Sequence, residues 1–313
     1  RLKLTKKQLD SINKASIKDA ILIVGGGCTG EIVSSQGLIF TNHHCGYSAI
    51  SGASTIQHNY LHDGFYAFNK DQEIKSQLTV QFLDRIIDVT KEVEEGVKGL
   101  SWADRVKKLP DVYKAITDKV MDKENALAGR IYSMFKGNQY IMYVYKTYRD
   151  IRLVGAPPES VGKFGGDTDN WEWPRHTGDF SIFRVYATKD GKPADYSKDN
   201  VPLTPKHFLP VSIKGFKDGD FAMIYGYPGG TTRYETSYGI KLKNEIENHS
   251  LVGLRDMRLK YMYEQMIKDH AVKLKLANNY AGVANYWKFF DGETKQLIKL
   301  HTNEQKQQFE QGF

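Results

Sequence analysis

Apolar and polar positions alternate with a strand-like period through the first two thirds of the chain and with a helical period through the last third. Residues 4–17 place Leu9, Ile12 and Ala15 on one side of a short amphipathic helix, and 20–24 follow as an unbroken apolar strand. Ile32, Val33, Leu38, Ile39 and Phe40 flank Ser35-Gln36-Gly37, which predicts two short strands joined by a turn ending in glycine. That pairing draws Cys28 toward Cys45. Residues 78–88, with polar Thr79, Gln81 and Asp84 among apolar neighbours, read as another strand, as do 139–145, 180–186 and 220–225. Between them, Ser101-Trp102-Ala103-Asp104 has the form of a capping box; Pro110 is expected to interrupt the helix it starts, and 113–134 to resume it. From about Tyr234, Ile240, Leu242, Ile246, Leu254, Met257 and Leu259 keep helical intervals among many charges. The change of period sets a domain boundary near Thr232: residues 1–232 are mainly β with a helical excursion near 101–135, and 233–313 begin a helical domain. The helical pattern is still running at Gln311, so the chain is expected to stop inside that domain.

Candidate chemistry gathers in a few places. Thr41-Asn42-His43-His44-Cys45 closes the predicted hairpin, with His43 and His44 expected on opposite faces of a strand end. A hydroxyl nucleophile needs a histidine to take its proton, and the histidine needs a carboxylate to fix its tautomer. His44 is the candidate base. Asp179, which enters a strand after Arg175-His176-Thr177-Gly178, is a candidate carboxylate, and Asp167, Asp169 and Glu172 remain open beside it. Asn170-Trp171 offers an amide oxygen and an indole face, the pair of groups that suits a free ammonium; core packing is the ordinary use of such tryptophans. Cys28, His43, His44 and Cys45 also contain zinc-type ligand atoms, but no second Cys/His pair has zinc-site spacing. Gly25-Gly26-Gly27-Cys28-Thr29-Gly30 lacks the Gly-Lys-Ser/Thr ending of a phosphate loop and leads into a strand.

Cys-Thr-Gly-Glu-Ile-Val at 28–33, Gly-Leu-Ile-Phe-Thr-Asn-His-His-Cys-Gly-Tyr at 37–47 and Gly-Gly-Asp-Thr-Asp-Asn-Trp-Glu-Trp-Pro-Arg-His-Thr-Gly-Asp-Phe at 165–180 resemble the bacterial dipeptidyl-peptidase 7 and 11 family of serine peptidases. So do Tyr-Gly-Tyr-Pro-Gly-Gly at 225–230 and Tyr-Ala-Gly-Val-Ala-Asn-Tyr-Trp at 280–287. The resemblance covers the N-terminal portion of a family member. It implies a chymotrypsin-like β-barrel, the first of two, followed by the start of an α-helical cap domain. It implies His44 as general base, Asp179 as its orienting carboxylate, Asn170 and Trp171 at the substrate amino terminus, and a disulfide between Cys28 and Cys45. It also implies a homodimer acting on oligopeptides with a free N-terminus. The family's serine sits in a Gly-Asn-Ser-Gly type loop that this chain does not contain, and Ser48, Ser51 and Ser54 have no such setting. The chain alone is therefore expected to be inactive, with the P1 pocket outside it; the alternative is a non-catalytic module that binds peptide amino termini.

Composition narrows the remaining choices. With 40% hydrophobic and 26% charged residues the chain is of ordinary folded composition, and no apolar run is long enough to span a membrane. The net charge of +7 comes from lysines scattered through amphipathic segments, so a solvated surface is expected and not a nucleic-acid site. No metal and no cofactor are expected. A disulfide made from the two cysteines goes with export, to the periplasm or surface of a Gram-negative bacterium. The chain opens at Arg1 without a methionine, in keeping with a removed or omitted export signal.

Overall fold

The computed structural model describes residues 3–10 and 15–313. They divide into two compact units, one of residues 1–46, 66–155 and 181–228 and one of 47–65, 156–180 and 229–313. Part of the helix expected at 4–17 forms as α1 (Lys6–Leu9), capped by Thr5; Ile12 lies outside the described residues.

The first unit is built on one antiparallel sheet. Its strands are β1 (Ile21–Val24), β2 (Cys28–Ile32), β3 (Leu38–Thr41), β4 (Phe65–Tyr66), β5 (Ile74–Lys75), β6 (Val80–Asp88), β7 (Leu127–Met134), β8 (Gln139–Tyr148), β9 (Asp150–Ala156), β10 (Ser181–Ala187) and β11 (Val201–Pro202). The path runs β4-β9-β10-β3-β2-β1-β6-β8-β7, with β5 on β9 and β11 on β10, and its two ends are not paired to each other. β1 is apolar at every position because it lies between β2 and β6 and is buried throughout. The β2–β3 turn forms as the sequence predicts: Ser34 Oγ accepts from the Gln36 and Leu38 N–H groups, both at 3.2 Å, and Gly37 takes φ +67°. Opposite β1, a Cβ on Gly30 would stand 2.7 Å from Val24 Cγ2, so the glycine permits the close β1–β2–β3 packing.

Four expectations are corrected. The strand ending in the histidines stops at Thr41, and His43 opens helix α2 (His43–Ala53). Its first turn is closed by the Gly46 N–H, which donates to the Asn42 backbone carbonyl at 3.2 Å. Next, α4 (Thr90–Gly96) is followed by α5 (Trp102–Asp118), which begins at the Ser101 cap but runs unbroken through Pro110. Pro110 lacks the N–H that would bond the carbonyl of Val106, a half-exposed residue on this helix.

Residues 127–134, expected as helix, form β7 and pair along their whole length with β8. A turn in which Asp122 accepts from the Asn125 N–H at 3.0 Å separates them from α5. Leu127 and Ile131 then face the cluster of Val93, Val112, Ile116, Tyr140, Met142 and Val144, a period of two that the short apolar run concealed. Finally, residues 220–225 are in no ladder.

The second unit is mainly helical: α3 (Tyr60–Asp63), α6 (Glu159–Gly162), α7 (Ser237–Leu242), α8 (Asn248–Met266), α9 (His270–Lys299) and α10 (Thr302–Glu310). A π turn at Lys243–Glu247 joins α7 to α8. Asp269 caps α9, accepting from the Ala271 N–H at 2.7 Å. The two long helices run antiparallel, since Asn248 at the start of α8 donates to Glu293 Oε2 and Thr294 Oγ1 late in α9, at 2.9 and 3.0 Å. Buried Ala277 and Ala284 on α9 present small side chains in this packing. Among the described residues, no helix is long and apolar enough to cross a membrane.

Candidate active site

The histidine turn is fixed from several sides within the first unit. β3 and β10 pair Thr41 with Ser181, whose Oγ donates to the Asn42 carbonyl at 2.8 Å. Gly46 brings the start of α2 down onto β10, where a Cβ would stand 2.6 Å from Ser181 Oγ and 2.9 Å from Phe183 Cε2. Cys28, the first residue of β2, forms a disulfide with Cys45. His43 and His44 are about 100° apart around a helix instead of on opposite strand faces, yet their environments still differ: His43 is 1% exposed and His44 is exposed.

A ring nitrogen of His44 lies within 4.8 Å of both disulfide sulfurs. Bonded to each other, those sulfurs are not the thiolates that zinc requires.

Asp179 stands half-buried, two residues ahead of β10, and belongs to the second unit. The other carboxylates considered have visible structural partners there. Asp167 pairs with Lys163 at 2.9 Å and Glu172 with Lys288 at 3.0 Å. The Asp169 carboxylate folds over Gly165, where a Cβ would collide with it. Ser48 and Ser51 are helix residues, and Ser54 donates its hydroxyl back to the Ile50 carbonyl at 2.8 Å.

Asn170 and Trp171 are held by one residue of α9. Asn170 Nδ2 donates to Asn285 Oδ1 at 2.8 Å, and Trp171 Nε1 donates to Asn285 O and Oδ1, both at 3.1 Å. On its other side Asn170 Oδ1 accepts from Arg175 Nη1 at 2.9 Å. These donors determine which end of the Asn170 amide is oxygen, and that oxygen retains a second lone pair. Trp171 adopts φ +60°, uncommon for a residue with a side chain, and its indole packs against Phe289 at 4.9 Å between centroids while remaining 57% exposed. Trp173 is 94% exposed, so neither tryptophan is a core residue.

Asn285 lies in the 280–287 motif, where the sequence alone assigns it no role. The available signal was an amide side chain between Ala284 and Tyr286 in an otherwise apolar helix segment. In the same unit Tyr47, buried by its surroundings and facing Glu159 and Asp167, has its phenol pKa driven upward; it stays protonated and donates to Glu159 Oε1 at 3.1 Å.

Comparison with known proteins places these features in a family. The peptidase S46 profile matches residues 1–313. The Asp/Glu-specific dipeptidyl-peptidase of Capnocytophaga gingivalis is 47% identical over 100% of this chain and 44% of its own length. Dipeptidyl-peptidase 7 of Porphyromonas gingivalis is 46% identical over 97% of this chain and 43% of its own length. The crystal structure of Porphyromonas endodontalis DPP11 in complex with the dipeptide Arg-Glu superposes with a TM-score of 0.91 at 39% identity, covering 99% of this chain and 46% of that one. The chain spans less than half the length of these relatives. With its motifs matched along the entire chain, it belongs to the peptidase S46 family.

Proposed function

We propose that this chain is the N-terminal part of an exported serine-type dipeptidyl peptidase, which releases dipeptides from free peptide amino termini through an acyl-enzyme. The observation that carries the proposal is the fixed Asn170 oxygen beside the exposed Trp171 indole. A substrate ammonium donates to that oxygen and lies against the ring face. Seated there, the amino terminus sets how much chain can precede the scissile bond.

His44 takes the proton of a serine supplied by the rest of the polypeptide and returns it to the leaving amine; Asp179 accepts from the other imidazole nitrogen. The pairing of His44 with Asp179 rests on the family resemblance.

The chymotrypsin-like reading of the sheet also has support. β5 pairs with β9, and a few residues on in the same chain β6 pairs with β1. Between them Ser76 donates to the Ile151 carbonyl and Gly25 to the Thr79 carbonyl. These pairings support the reading, because a six-stranded barrel would take β1, β2, β3, β10 and β9 and the segment 74–88 in that order. The division at about residue 232 into this barrel and a helical cap belongs to the same proposal. Export to the periplasm or cell surface is supported by the disulfide. A homodimer rests on the family resemblance.

The test uses the full-length protein and a dipeptide joined to a fluorogenic leaving group. Turnover is expected with a free amine and not with an N-acetylated one, and His44→Ala should lower kcat by at least about 10^4-fold. The 313-residue chain alone should release nothing. Equal turnover of acetylated substrate would overturn the amine-clamp reading. The second reading, a non-catalytic module, rests on the Asn170–Trp171–Asn285 arrangement, which offers an amine site by itself. Binding of free-amine peptides without turnover by the full-length protein, unchanged by His44→Ala, would establish it instead.

A further inference from the structure

Among the described residues, Cys28, His44 and Cys45 are the one group of three metal-binding side chains that stand together, with both sulfurs and a ring nitrogen within 4.8 Å of one another. Their backbone positions do not depend on the disulfide. Cys28 is held opposite Val24 in the β1–β2 ladder, and Thr41 Oγ1 donates to the Thr29 carbonyl at 2.8 Å, tying β3 to the residue that follows Cys28. His44 and Cys45 lie in the first turn of α2, where Ser181 Oγ and the Gly46 N–H both donate to the Asn42 carbonyl.

Two thiolates and an imidazole are one of the three-ligand sets that hold zinc with a fourth position left to water. Zn–S bonds of about 2.3 Å and a Zn–N bond of about 2.0 Å, in a tetrahedral array, put the donor atoms roughly 3.5–3.8 Å apart. To reach that array the sulfurs part from bonding contact and the imidazole moves by about an ångström at most. His44 is exposed and the two cysteines are half-buried, so an ion reaches them from solvent.

We infer that reduction of the Cys28–Cys45 bond turns this corner into a zinc site, in which both thiolates and a ring nitrogen of His44 bind the ion. A dithiol supplies the two electrons. It closes into its own disulfide as the Sγ–Sγ bond breaks, and its two protons pass to Cys28 and Cys45. Zn²⁺ then displaces both protons into solvent and takes the imidazole lone pair, making two Zn–S bonds and one Zn–N bond, with the two thiolate charges balancing that of the ion. The consequence for catalysis rests on the reading of His44 as general base. Each ring nitrogen has a duty in that mechanism, one toward the serine and one toward Asp179, so zinc blocks it through whichever nitrogen it takes.

The 313-residue chain has no other cysteine, which makes it the chain to test. Reduced with a dithiol and freed of it by anaerobic gel filtration, it is expected to retain one zinc through dialysis. Cobalt(II) in place of zinc should give the near-ultraviolet charge-transfer band of thiolate ligation and the visible bands of a tetrahedral ion. Zinc should also return the thermal midpoint of the reduced chain toward that of the oxidised chain, because the folded turn gathers all three ligands. His44→Ala should weaken zinc at least about 100-fold, more than the loss of an outer-shell partner costs, with the midpoint of the oxidised chain unchanged.

Equal zinc affinity of the His44→Ala chain would overturn the inference. So would a reduced chain whose midpoint zinc does not raise, since both results describe two loose thiols and no built site. In the full-length protein, zinc should stop the turnover that the reduced form retains, and a chelator should restore it. Undiminished turnover by the reduced, zinc-loaded form would also sink the inference, whereas zinc binding by a protein that releases no dipeptide in either redox state would overturn the peptidase reading alone.

Discussion

Asn285 accepts from both Asn170 and Trp171, so one side chain orients the groups proposed to hold the substrate amine. It is a positioning residue. Removing it leaves Asn170 Nδ2 and Trp171 Nε1 to find other partners, at a cost of about 1–3 kcal/mol, or roughly 10–100-fold in binding. Asn285→Ala in the full-length protein should therefore raise KM for a free-amine substrate by that factor with kcat little changed. Asn285→Asp keeps the acceptor and should recover part of the loss. A fall in kcat at constant KM would contradict this role. A second residue-scale prediction concerns pH. Burial pushes the phenols of Tyr145 and Tyr148 from 10.0 up to about 12. Because the folded chain holds these protons more tightly than the unfolded one, the associated stability is complete below pH 10 and is lost as the pH rises through 12. Ultraviolet titration should show these phenols ionising late, as the chain unfolds.

At the scale of elements, Gly46 is the point where α2 meets β10. Gly46→Ala puts a methyl against the buried Ser181 and Phe183 side chains, and should cost about 1–3 kcal/mol as overpacking does. The expected measurement is a lower denaturant midpoint; an unchanged midpoint would mean that β10 yields easily. Ser101 bonds the Asp104 N–H at 3.3 Å, and Ser101→Ala should cost about 1 kcal/mol with effects confined to α5. This cap was legible because its chemistry is local. The β2–β3 hairpin was legible for the same reason, with apolar runs on both sides of a serine-rich turn. Where tertiary partners decide, the sequence pattern was ambiguous: residues 127–134 fit a helix until β8 is laid beside them, and Pro110 sits within a helix on a largely exposed face. The site was readable in proportion to its continuity along the chain. His44, Asn170 and Trp171 lie in long motifs, whereas Asn285 acquires a purpose only when α9 packs beside the loop that carries them.

For the molecule as a whole, the chain spans less than half the length of the S46 relatives it matches, and along 211–225 apolar side chains face water. The first unit nevertheless has its own cross-link. A disulfide closing a loop of 17 residues is worth about 3 kcal/mol. Reduction should lower unfolding stability by about that amount in a urea titration, and equal stability of the reduced and oxidised chains would show that packing alone holds the turn. The location of that bond reaches beyond stability. It ties the first residue of β2 to the turn carrying His44, so a newly made chain in a reducing cytosol has a histidine without its brace. On the proposed peptidase reading, the brace becomes a redox requirement: the reductant that opens the disulfide should lower turnover in step with stability.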